Sequence, residues 1–245
     1  MPTSRISIVI PAYNEEVYLP RLLAGVATAR ARYLGGAETL EVIVAVNAST
    51  DGTARVALER GCGVIPVAKR VIAAARNAGA RAARGEVLAF VDADSQIHPE
   101  TFNAIEASLA EGRVIGGATG MTMERWSLGI GLSYLLLVPL VKVMGIDGGV
   151  VYCRKVDFEA VGGYNEERLM AEDVEFLLAL KRLGRSRGQR FARLRGVKAV
   201  ASTRKFDRHG DWHCFTGMTR LAFGGLFDRR RLDRWIRSYW YEDRY

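Results

Sequence analysis

The sequence contains few cysteines, and their positions exclude a disulfide-bonded scaffold. Cys62, Cys153 and Cys214 lie far apart in a chain of 245 residues, and none belongs to a Cys-x-x-Cys pair. Three separated thiols cannot all pair with one another, and this is typical of a reducing compartment. The first residues also lack the basic, apolar and small-residue zones of a secretory signal peptide. We therefore expect a cytoplasmic protein.

Two common nucleotide-binding motifs are missing as well. No Gly-x-Gly-x-x-Gly follows the first apolar run, and no Gly-x-x-x-x-Gly-Lys-Ser/Thr occurs in the chain. These absences disfavour a dinucleotide-binding Rossmann unit and a P-loop.

No apolar run is long enough to predict a membrane-spanning helix. Residues 126–141 carry no charge, but a helix needs about 20 apolar residues to cross a bilayer. Pro139 and Lys142 also interrupt the pattern. Two interpretations stay open: a buried or subunit-contact helix, and an interfacial segment that contacts a membrane or a lipid acceptor.

The composition is that of a folded, basic protein. Hydrophobic residues make up 49% of the chain and charged residues 25%, which excludes disordered and fibrous proteins. Lysine and arginine number 35 against 27 acidic residues, so the net charge is +8. Such a charge suits an anionic partner, whether a nucleotide, a phospholipid or a nucleic acid.

Short, fully apolar runs alternate with helical patterns along the first half of the chain. Such runs are typical of parallel strands buried on both faces, so we predict an α/β fold with an open, mostly parallel sheet flanked by helices. The predicted strands are residues 6–10, 40–46, 64–67 and 87–91, followed later by 150–153 and 197–201. The predicted helices are 54–60, 71–84, 98–109, 172–183, a helix capped by Asn14 with Glu15 and Glu16 in its first turn, and a tail from Asp211 onward.

Polar residues follow these strands at the edge where parallel sheets bind ligands. They are residues 12–15, 47–51, 69–70 and 92–94. Asp92 and Asp94 are separated by one small residue, and two such carboxylates suit Mg²⁺ or Mn²⁺ with a diphosphate completing the shell. The alternative is a solvated turn in which both aspartates cap the next helix.

Two further pairs of polar residues have two interpretations each. Glu172 and Asp173 begin a predicted helix, where they meet its dipole or supply a general base. Arg76 and Asn77 lie within another predicted helix. For these we predict a solvated charge at Arg76 and a structural role for Asn77.

Several segments, in this order, resemble family 2 glycosyltransferases. They are residues 6–16, 47–53, 75–79, 85–95, 162–164 and 172–173, so the resemblance extends over about Ile6 to Leu183. It implies a GT-A fold, a nucleotide-diphosphate sugar donor, Mn²⁺ or Mg²⁺ as cofactor and inversion at the anomeric carbon of the sugar. The acceptor would be a hydroxyl group.

The resemblance also implies roles for individual residues. Asp173, with Glu172 beside it, would be the catalytic base, and Asp94 and Asp92 would hold the metal, with Asp92 facing the ribose or base. The nucleotide-sugar site would comprise Pro11, Ala12, Tyr13, Glu15, Asn47, Asp51, Lys69, Arg70, Asp92, Ala93 and Arg204. Arg204 would pair with the diphosphate, Asp147 would lie on the acceptor side unless it only shapes its glycine-rich turn, and His209 would be a further metal ligand or a surface histidine.

One position departs from the family pattern. Asn47 stands where the family often has an aspartate that reads the nucleobase, and an amide both donates and accepts, whereas an ionised carboxylate only accepts. The identity of the base therefore stays open.

We predict that residues 1–205 form the GT-A domain, with a nucleotide-sugar half (1–120) and an acceptor half (121–205). Residues 206–245 would be a basic, aromatic helical extension. The extension and residues 126–141 suggest peripheral attachment to an anionic membrane surface, with a lipid-linked or cell-envelope acceptor. The competing interpretation is a non-catalytic GT-A-like or membrane-surface module. We do not expect nucleic-acid binding, because no nucleic-acid motif is present.

Overall fold

A computed structural model describes residues 4–168, 171–213 and 215–216. The chain divides into two compact units, one of residues 1–122 with 145–201 and the other of residues 123–144 with 202–245. The second unit thus combines two segments that are distant in sequence. The boundary predicted at residue 205, between the GT-A domain and the C-terminal extension, stays a prediction. Most of the predicted tail helix lies outside the described residues.

Strands and helices alternate through the first unit as predicted. The strands are β1 Ile6–Ala12, β2 Leu40–Asn47, β3 Gly63–Val67, β4 Val87–Phe90, β5 Val114–Ala118, β6 Met121–Met123, β7 Val151–Arg154, β8 Arg190–Arg193 and β9 Ala199–Ala201. The helices are α1 Leu19–Ala31, α2 Thr53–Glu59, α3 Ile72–Ala82, α4 Thr101–Ala110, α5 Leu128–Met144, α6 Lys155–Ala160, α7 Glu172–Ser186 and α8 Arg204–His209, with a 3-10 turn at Ala37–Thr39.

The central sheet is mostly parallel, which confirms the predicted fold class. Its seven strands lie in the order β3-β2-β1-β4-β7-β5-β8, and β7 runs antiparallel to both of its neighbours. The other neighbouring pairs of this sheet are parallel. Each residue of β1 and β4 is buried, because helices cover both faces of the sheet, and this explains their unbroken apolar sequences. Strands β6 and β9 form a separate two-stranded sheet.

Three strands and two short helices were missed in the sequence: β5, β6, β8, α6 and α8. Strand β5 contains Gly116 and Gly117, which are weak strand formers. The structure explains both glycines, because an added Cβ would lie 2.5 Å from the carbonyl oxygen of Tyr152 or of Ala192. The close approach of neighbouring backbones therefore requires glycine at these two positions, although glycines in a sequence are more typical of a turn.

The first helix begins later than predicted. Asn14 does not cap it, since α1 starts at Leu19 with a proline in its first turn, a position that tolerates the missing N–H. Asn14 instead adopts a left-handed conformation with φ 51°. Consequently Glu15 and Glu16 precede the first turn, and their backbone N–H groups donate to the Thr53 hydroxyl at the start of α2 and to Asp51 on the loop after β2.

The apolar run of residues 126–141 forms most of α5. Pro139 lies inside this helix, which extends to Met144, so Pro139 and Lys142 interrupt the apolar pattern without ending the helix. Several of its described side chains are exposed in the single chain, so they do not lie in its core, while subunit contact and membrane contact stay open. Among the described residues, no helix has both the length and the apolarity needed to cross a membrane.

Helix α3 packs very closely on β1, and this contact predicts the effect of a methyl group. A Cβ added at Gly79 would overlap the Cγ1 atom of Val9, which is fully buried and β-branched and so has little room to rotate. We expect Gly79→Ala to lower the free energy of unfolding by about 1–3 kcal/mol, the usual effect of overpacking a core. Urea denaturation followed by circular dichroism measures the change.

Gly131→Ala is the matched control for this prediction. Gly131 also lies inside a helix, but nothing would lie within 4 Å of its added Cβ. We expect this variant to be unchanged or stabilised by about 0.5–1 kcal/mol, because alanine has less chain entropy to lose than glycine. Equal destabilisation of both variants would contradict the packing argument.

Candidate active site

The candidate site lies at the edge of the sheet where β1, β2 and β4 end. Register pairs Ala12 with Val46, so the loops after β1 and β2 start side by side. The Asn14 backbone N–H donates to the Ser49 hydroxyl at 3.0 Å, and the backbone N–H of Thr50 donates to Asn14 Oδ1 at 2.8 Å. The two loops therefore form one connected surface.

Asp51 joins these two loops through both of its carboxylate oxygens. Oδ1 accepts the backbone N–H of Thr53 at 3.0 Å, and Oδ2 accepts that of Glu16 at 3.1 Å. The fully buried Thr53 hydroxyl in turn accepts the backbone N–H of Glu15 at 2.8 Å. These bonds account for Asp51 as a structural residue, while its expected contact with a nucleotide stays a prediction.

Asn47 ends β2 in a buried position, with 5% of its surface exposed. No hydrogen-bond donor among the described residues reaches its Oδ1 atom, although this atom is inaccessible to solvent. A buried acceptor without a partner costs about 1–3 kcal/mol. Such an atom is a candidate partner for an N–H group of a ligand that opens this loop.

Backbone strain is concentrated around this edge. Among the described residues, the non-glycine residues with positive φ are Asn14 at 51°, Ala48 at 52° and Ala171 at 60°. Asn14 and Ala48 follow β1 and β2, and Ala171 directly precedes the acidic start of α7. Such conformations are unfavourable for residues with a Cβ and recur at functional sites.

The basic residues after β3 contact two other parts of the site. The Arg70 guanidinium lies over the Tyr13 ring, 4.2 Å from its centroid. Lys69 donates to Glu166 at 3.2 Å. This arrangement places Arg70 beside a predicted nucleotide-site residue, whereas Lys69 has an acidic partner within the protein.

Arg76 joins the two acidic motifs, which are the aspartates after β4 and the acidic pair that begins α7. The prediction of a solvated charge at Arg76 was therefore wrong. It is 9% exposed, and its guanidinium donates to Asp92 Oδ1 at 2.9 Å and to Glu172 Oε1 at 3.0 Å. The guanidinium also lies over the buried Tyr164 ring, 5.1 Å from its centroid. Helix α3 has buried small residues on several sides, Ala73, Ala74, Ala75, Gly79 and Ala80. That pattern was the available signal that an arginine inside it would be buried.

Burial and charge act in opposite directions at this bridge. Burial alone would lower the pKa of Arg76, but the carboxylates of Asp92 and Glu172 raise it above the ordinary value of arginine. Burial raises the pKa of Glu172, and the guanidinium only partly counteracts this. The bridge therefore stabilises a carboxylate that would otherwise resist ionisation.

Asn77, the neighbour of Arg76, positions the loop that carries Tyr164. Its Nδ2 donates to the Tyr164 carbonyl at 2.8 Å and to Glu166 at 3.0 Å, and its Oδ1 accepts the Tyr164 N–H at 2.9 Å. Gly163, at φ 71°, leaves room for this contact, since a Cβ would lie 2.8 Å from Oδ1. The predicted structural role of Asn77 is confirmed.

The remaining carboxylates of the two acidic motifs are partly or largely accessible. The Asp92 side chain is 53% exposed, Asp94 is half-buried, and Asp173 is exposed at the first turn of α7. The Asp173 Oδ1 atom accepts the backbone N–H of Val174 at 2.8 Å. Ala93 between the aspartates is buried. A ligand can thus reach carboxylate oxygens of both motifs.

The carboxylates suit a cation whose coordination shell is completed by the oxygens of a diphosphate. They are too few to hold a cation with protein ligands alone. Within the described part of the chain, no group of three or more His, Cys, Asp or Glu residues could hold a metal. Asp94 and Asp92 offer the oxygen ligands that Mg²⁺ and Mn²⁺ prefer, and such ions commonly use one or two carboxylates plus substrate phosphates. The donor set therefore agrees with the predicted cofactor.

Three predicted residues belong to other elements of the chain. Asp147 Oδ1 accepts the Gly148 N–H at 2.9 Å, and its other oxygen lies 4.0 Å from Arg193 Nε, so it shapes its glycine-rich turn. Arg204 and His209 begin and end α8 in the second unit. The acceptor, diphosphate and metal roles of these residues stay predictions.

A comparison with family models gives one match that covers half of the chain. Residues 7–129 match the model described as "Glycosyl transferase family 2". A relative from Pseudomonas paraeruginosa (strain DSM 24068 / PA7), undecaprenyl-phosphate 4-deoxy-4-formamido-L-arabinose transferase, is 36% identical over 129 residues, or 48% of this chain and 36% of the relative. The matched regions cover only 29–49% of the length of the curated relatives.

Solved structures share the fold at lower sequence identity. S. aureus TarS 1-349 in complex with UDP-GlcNAc superposes with a TM-score of 0.63 at 20% identity, over 81% of this chain and 58% of that one. The mannosyltransferase PcManGT from Pyrobaculum calidifontis, in complex with GDP-Man and Mn²⁺, gives 0.61 at 20% identity, over 80% and 56%. The predicted GT-A fold is thereby confirmed.

The bridge predicts how stability depends on pH when its cation is removed. In Arg76→Met, Glu172 is buried without its guanidinium, so we expect a loss of about 3 kcal/mol near neutral pH. The pKa of Glu172 in the folded variant is then higher than its unfolded value of about 4.3. Below that unfolded pKa, Glu172 is protonated in both states and its stabilising contribution to folding is fully present. This contribution is lost as pH rises through the folded-state pKa, because the buried carboxyl must then ionise. The measurement is urea unfolding over a pH series.

The control adds Glu172→Gln to the same variant. Without an ionisable side chain at position 172, the extra loss of stability at higher pH should disappear, because no buried carboxylate remains to be ionised. If the single and double variants have the same pH dependence, Glu172 is not the group that Arg76 compensates.

Proposed function

Since the chain belongs to glycosyl transferase family 2, we propose that it moves a sugar from a nucleotide-diphosphate sugar to an acceptor hydroxyl with inversion of configuration. One observation carries this proposal: Arg76 bonds the turn after β4 and the start of α7, with distances of 2.9 and 3.0 Å to their carboxylates. Arg76 thus connects two acidic groups of residues. Those after β4 suit the leaving diphosphate, and those at the start of α7 suit the acceptor.

The nucleoside would bind along the ends of β1 and β2. Tyr13 supplies an aromatic face with Arg70 beside it, and Asn47 supplies a buried oxygen that needs a donor. Pro11, Ala12 and Glu15, at and after the end of β1, are buried and would line the base and ribose. Ala93 would also line the nucleotide-sugar site. An acceptor oxygen at Asn47 suits the ring N–H that uracil, thymine and guanine all present.

The diphosphate would lie at the turn after β4. Mn²⁺ or Mg²⁺ held by Asp94, with Asp92 beside it, would supply Lewis-acid stabilisation of the negative charge that develops on the leaving diphosphate. A neighbour of the same fold carries Mn²⁺ with its nucleotide sugar. Arg76 neutralises one Asp92 oxygen, so it limits the mutual repulsion of carboxylates and phosphates at this turn. Arg204 and Lys69 would add positive charge, and His209 would be a further ligand.

Asp173 would act as the general base. As the acceptor oxygen forms its bond to the anomeric carbon, the bond from that carbon to the diphosphate oxygen breaks, and the electron pair leaves with the diphosphate. The acceptor proton passes to the Asp173 carboxylate. Glu172 lies behind it, buried against Arg76, and orients the first turn of α7. Asp147 would contact the sugar or the acceptor.

A lipid-linked molecule is the acceptor class that the relatives favour. The Pseudomonas relative is named for a polyprenyl phosphate. The chemistry separates two cases, because a phosphate acceptor is largely ionised near neutral pH and needs no base, whereas a hydroxyl acceptor does. The acidic start of α7 supports a lipid-linked hydroxyl as the acceptor.

Removal of Asp94 should abolish the metal dependence of nucleotide binding. We expect UDP or GDP with Mn²⁺ to raise the melting temperature of the wild type, since a ligand stabilises the state that binds it. Asp94→Asn should lose the part of this shift that requires Mn²⁺. Glu100→Gln, an acidic residue just before α4, is the control and should keep it. No shift with any nucleoside diphosphate would favour the non-catalytic alternative.

Removal of the base should leave donor binding intact and slow the transfer. We expect Asp173→Asn to keep the thermal shift with nucleotide and to lower turnover about 10²- to 10⁴-fold, the usual effect of a general base. The assay measures nucleoside diphosphate release from UDP- and GDP-sugars in the presence of extracted membrane lipids.

Glu175→Gln is the matched control, because it removes a carboxylate from the same first turn of α7. It should keep nearly full turnover. Full turnover in Asp173→Asn as well would contradict the assigned base and would indicate a phosphate acceptor.

A further inference from the structure

The second unit exposes a helix face made of apolar side chains. We call it the apolar stripe, and it consists of Leu128, Leu132, Leu135, Leu136, Pro139 and Val143 of α5. With 100° per residue, these positions fall within an arc of about 100°. The exposed fraction reaches 78% at Leu128 and 85% at Val143. The stripe runs for about 22 Å along the helix.

The side of α5 away from the stripe packs within its own unit. Gly129 allows a close approach, since an added Cβ would lie 2.6 Å from the carbonyl oxygen of Asp211. Ser133 is buried and its hydroxyl donates to the Gly129 carbonyl at 2.9 Å. The helix is therefore anchored by one side while the stripe faces outward. Soluble monomers rarely expose an apolar patch of this extent unless a partner covers it.

Two aromatic side chains lie just before α5 and in its first half, outside the arc of the stripe. Trp126, just before α5, is 54% exposed, and its ring meets that of Tyr134 edge to face with the centroids 5.2 Å apart. Tryptophan and tyrosine favour the interface between lipid headgroups and acyl chains, because each has an apolar body and a polar atom.

Positive charge is concentrated in the same unit. Residues 123–144 and 202–245 contain 12 lysines and arginines against seven acidic residues, whereas the rest of the chain contains 23 against 20. Part of the acidic charge is already matched, since Arg125 contacts Asp207 at 2.6 Å and Asp211 at 2.7 Å. Arg204 and Arg208 follow on α8. An anionic surface complements this unit.

We propose that the second unit docks on an anionic lipid bilayer, with the apolar stripe in the headgroup boundary and the axis of α5 parallel to the surface. Apolar insertion and electrostatic attraction together are what hold interfacial helices on membranes. A second copy of this chain is the less suitable partner, because two net-positive units would face each other. The proposal goes beyond the transfer reaction, because it rests on residues of the second unit alone.

Vesicle co-sedimentation of the full chain tests the proposal. We expect binding to vesicles of phosphatidylcholine with phosphatidylglycerol, weaker binding to phosphatidylcholine alone, and weakening in about 1 M salt, where the Debye length is about 3 Å. Leu135→Gln with Leu136→Gln should weaken binding more than about tenfold, because both side chains lose their favourable transfer from water. The matched control is Leu34→Gln with Leu58→Gln, two exposed leucines of the first unit, and it should bind like the wild type.

Two further readouts separate the possible outcomes. The stripe variant should keep its melting temperature and its nucleotide-induced shift, so a binding loss there reflects the surface and not misfolding or failure of the active site. Unchanged vesicle binding in the stripe variant overturns the proposal. So does a soluble dimer that the stripe variant dissociates, because the stripe would then be covered by a second copy. Vesicle binding by a chain without transferase activity would leave the docking surface standing while the proposed function fails.

Discussion

The site depends on one buried guanidinium. Arg76 comes from the middle of α3, and its two partners come from the turn after β4 and from the first turn of α7. A planar, permanently charged group with several donors can bridge two carboxylates in this way, which an ammonium group matches poorly. Burying Glu172 is unfavourable unless that cation is present. The ionic contacts of Arg76 therefore hold the start of α7 close to the end of β4.

The loops around this bridge are organised before any ligand arrives. Asp51, Thr53 and Asn14 connect the loops after β1 and β2 through hydrogen bonds that use side chains against backbone. Ala48 and Ala171 are held in left-handed conformations that their sequences disfavour. Such strain persists only where the surrounding structure maintains it. The gain is a site whose polar groups need little rearrangement to meet a substrate.

The two units differ in their charge and in the apolar surface that they expose. The first has nearly balanced charge and a sheet with buried strands at its centre, which gives a rigid platform for a reaction. The second combines a basic composition with an outward apolar face, which is an unfavourable combination in water and a favourable one at an anionic lipid surface. Reaction chemistry and attachment thus rest on separate parts of the sequence.

The sequence by itself determined the fold class and the positions of the acidic motifs. Runs such as residues 6–10 and 87–91 are apolar throughout because both faces of those strands are buried, and Asp92 and Asp94 follow directly at a strand end. These are local patterns that a short window reveals. Only the tertiary structure decided that Arg76 is buried, because its partner Glu172 lies 96 residues away. The same holds for the glycines of β5 and for the outward face of α5, since a residue's neighbours in space, and not its neighbours in sequence, determine its exposure.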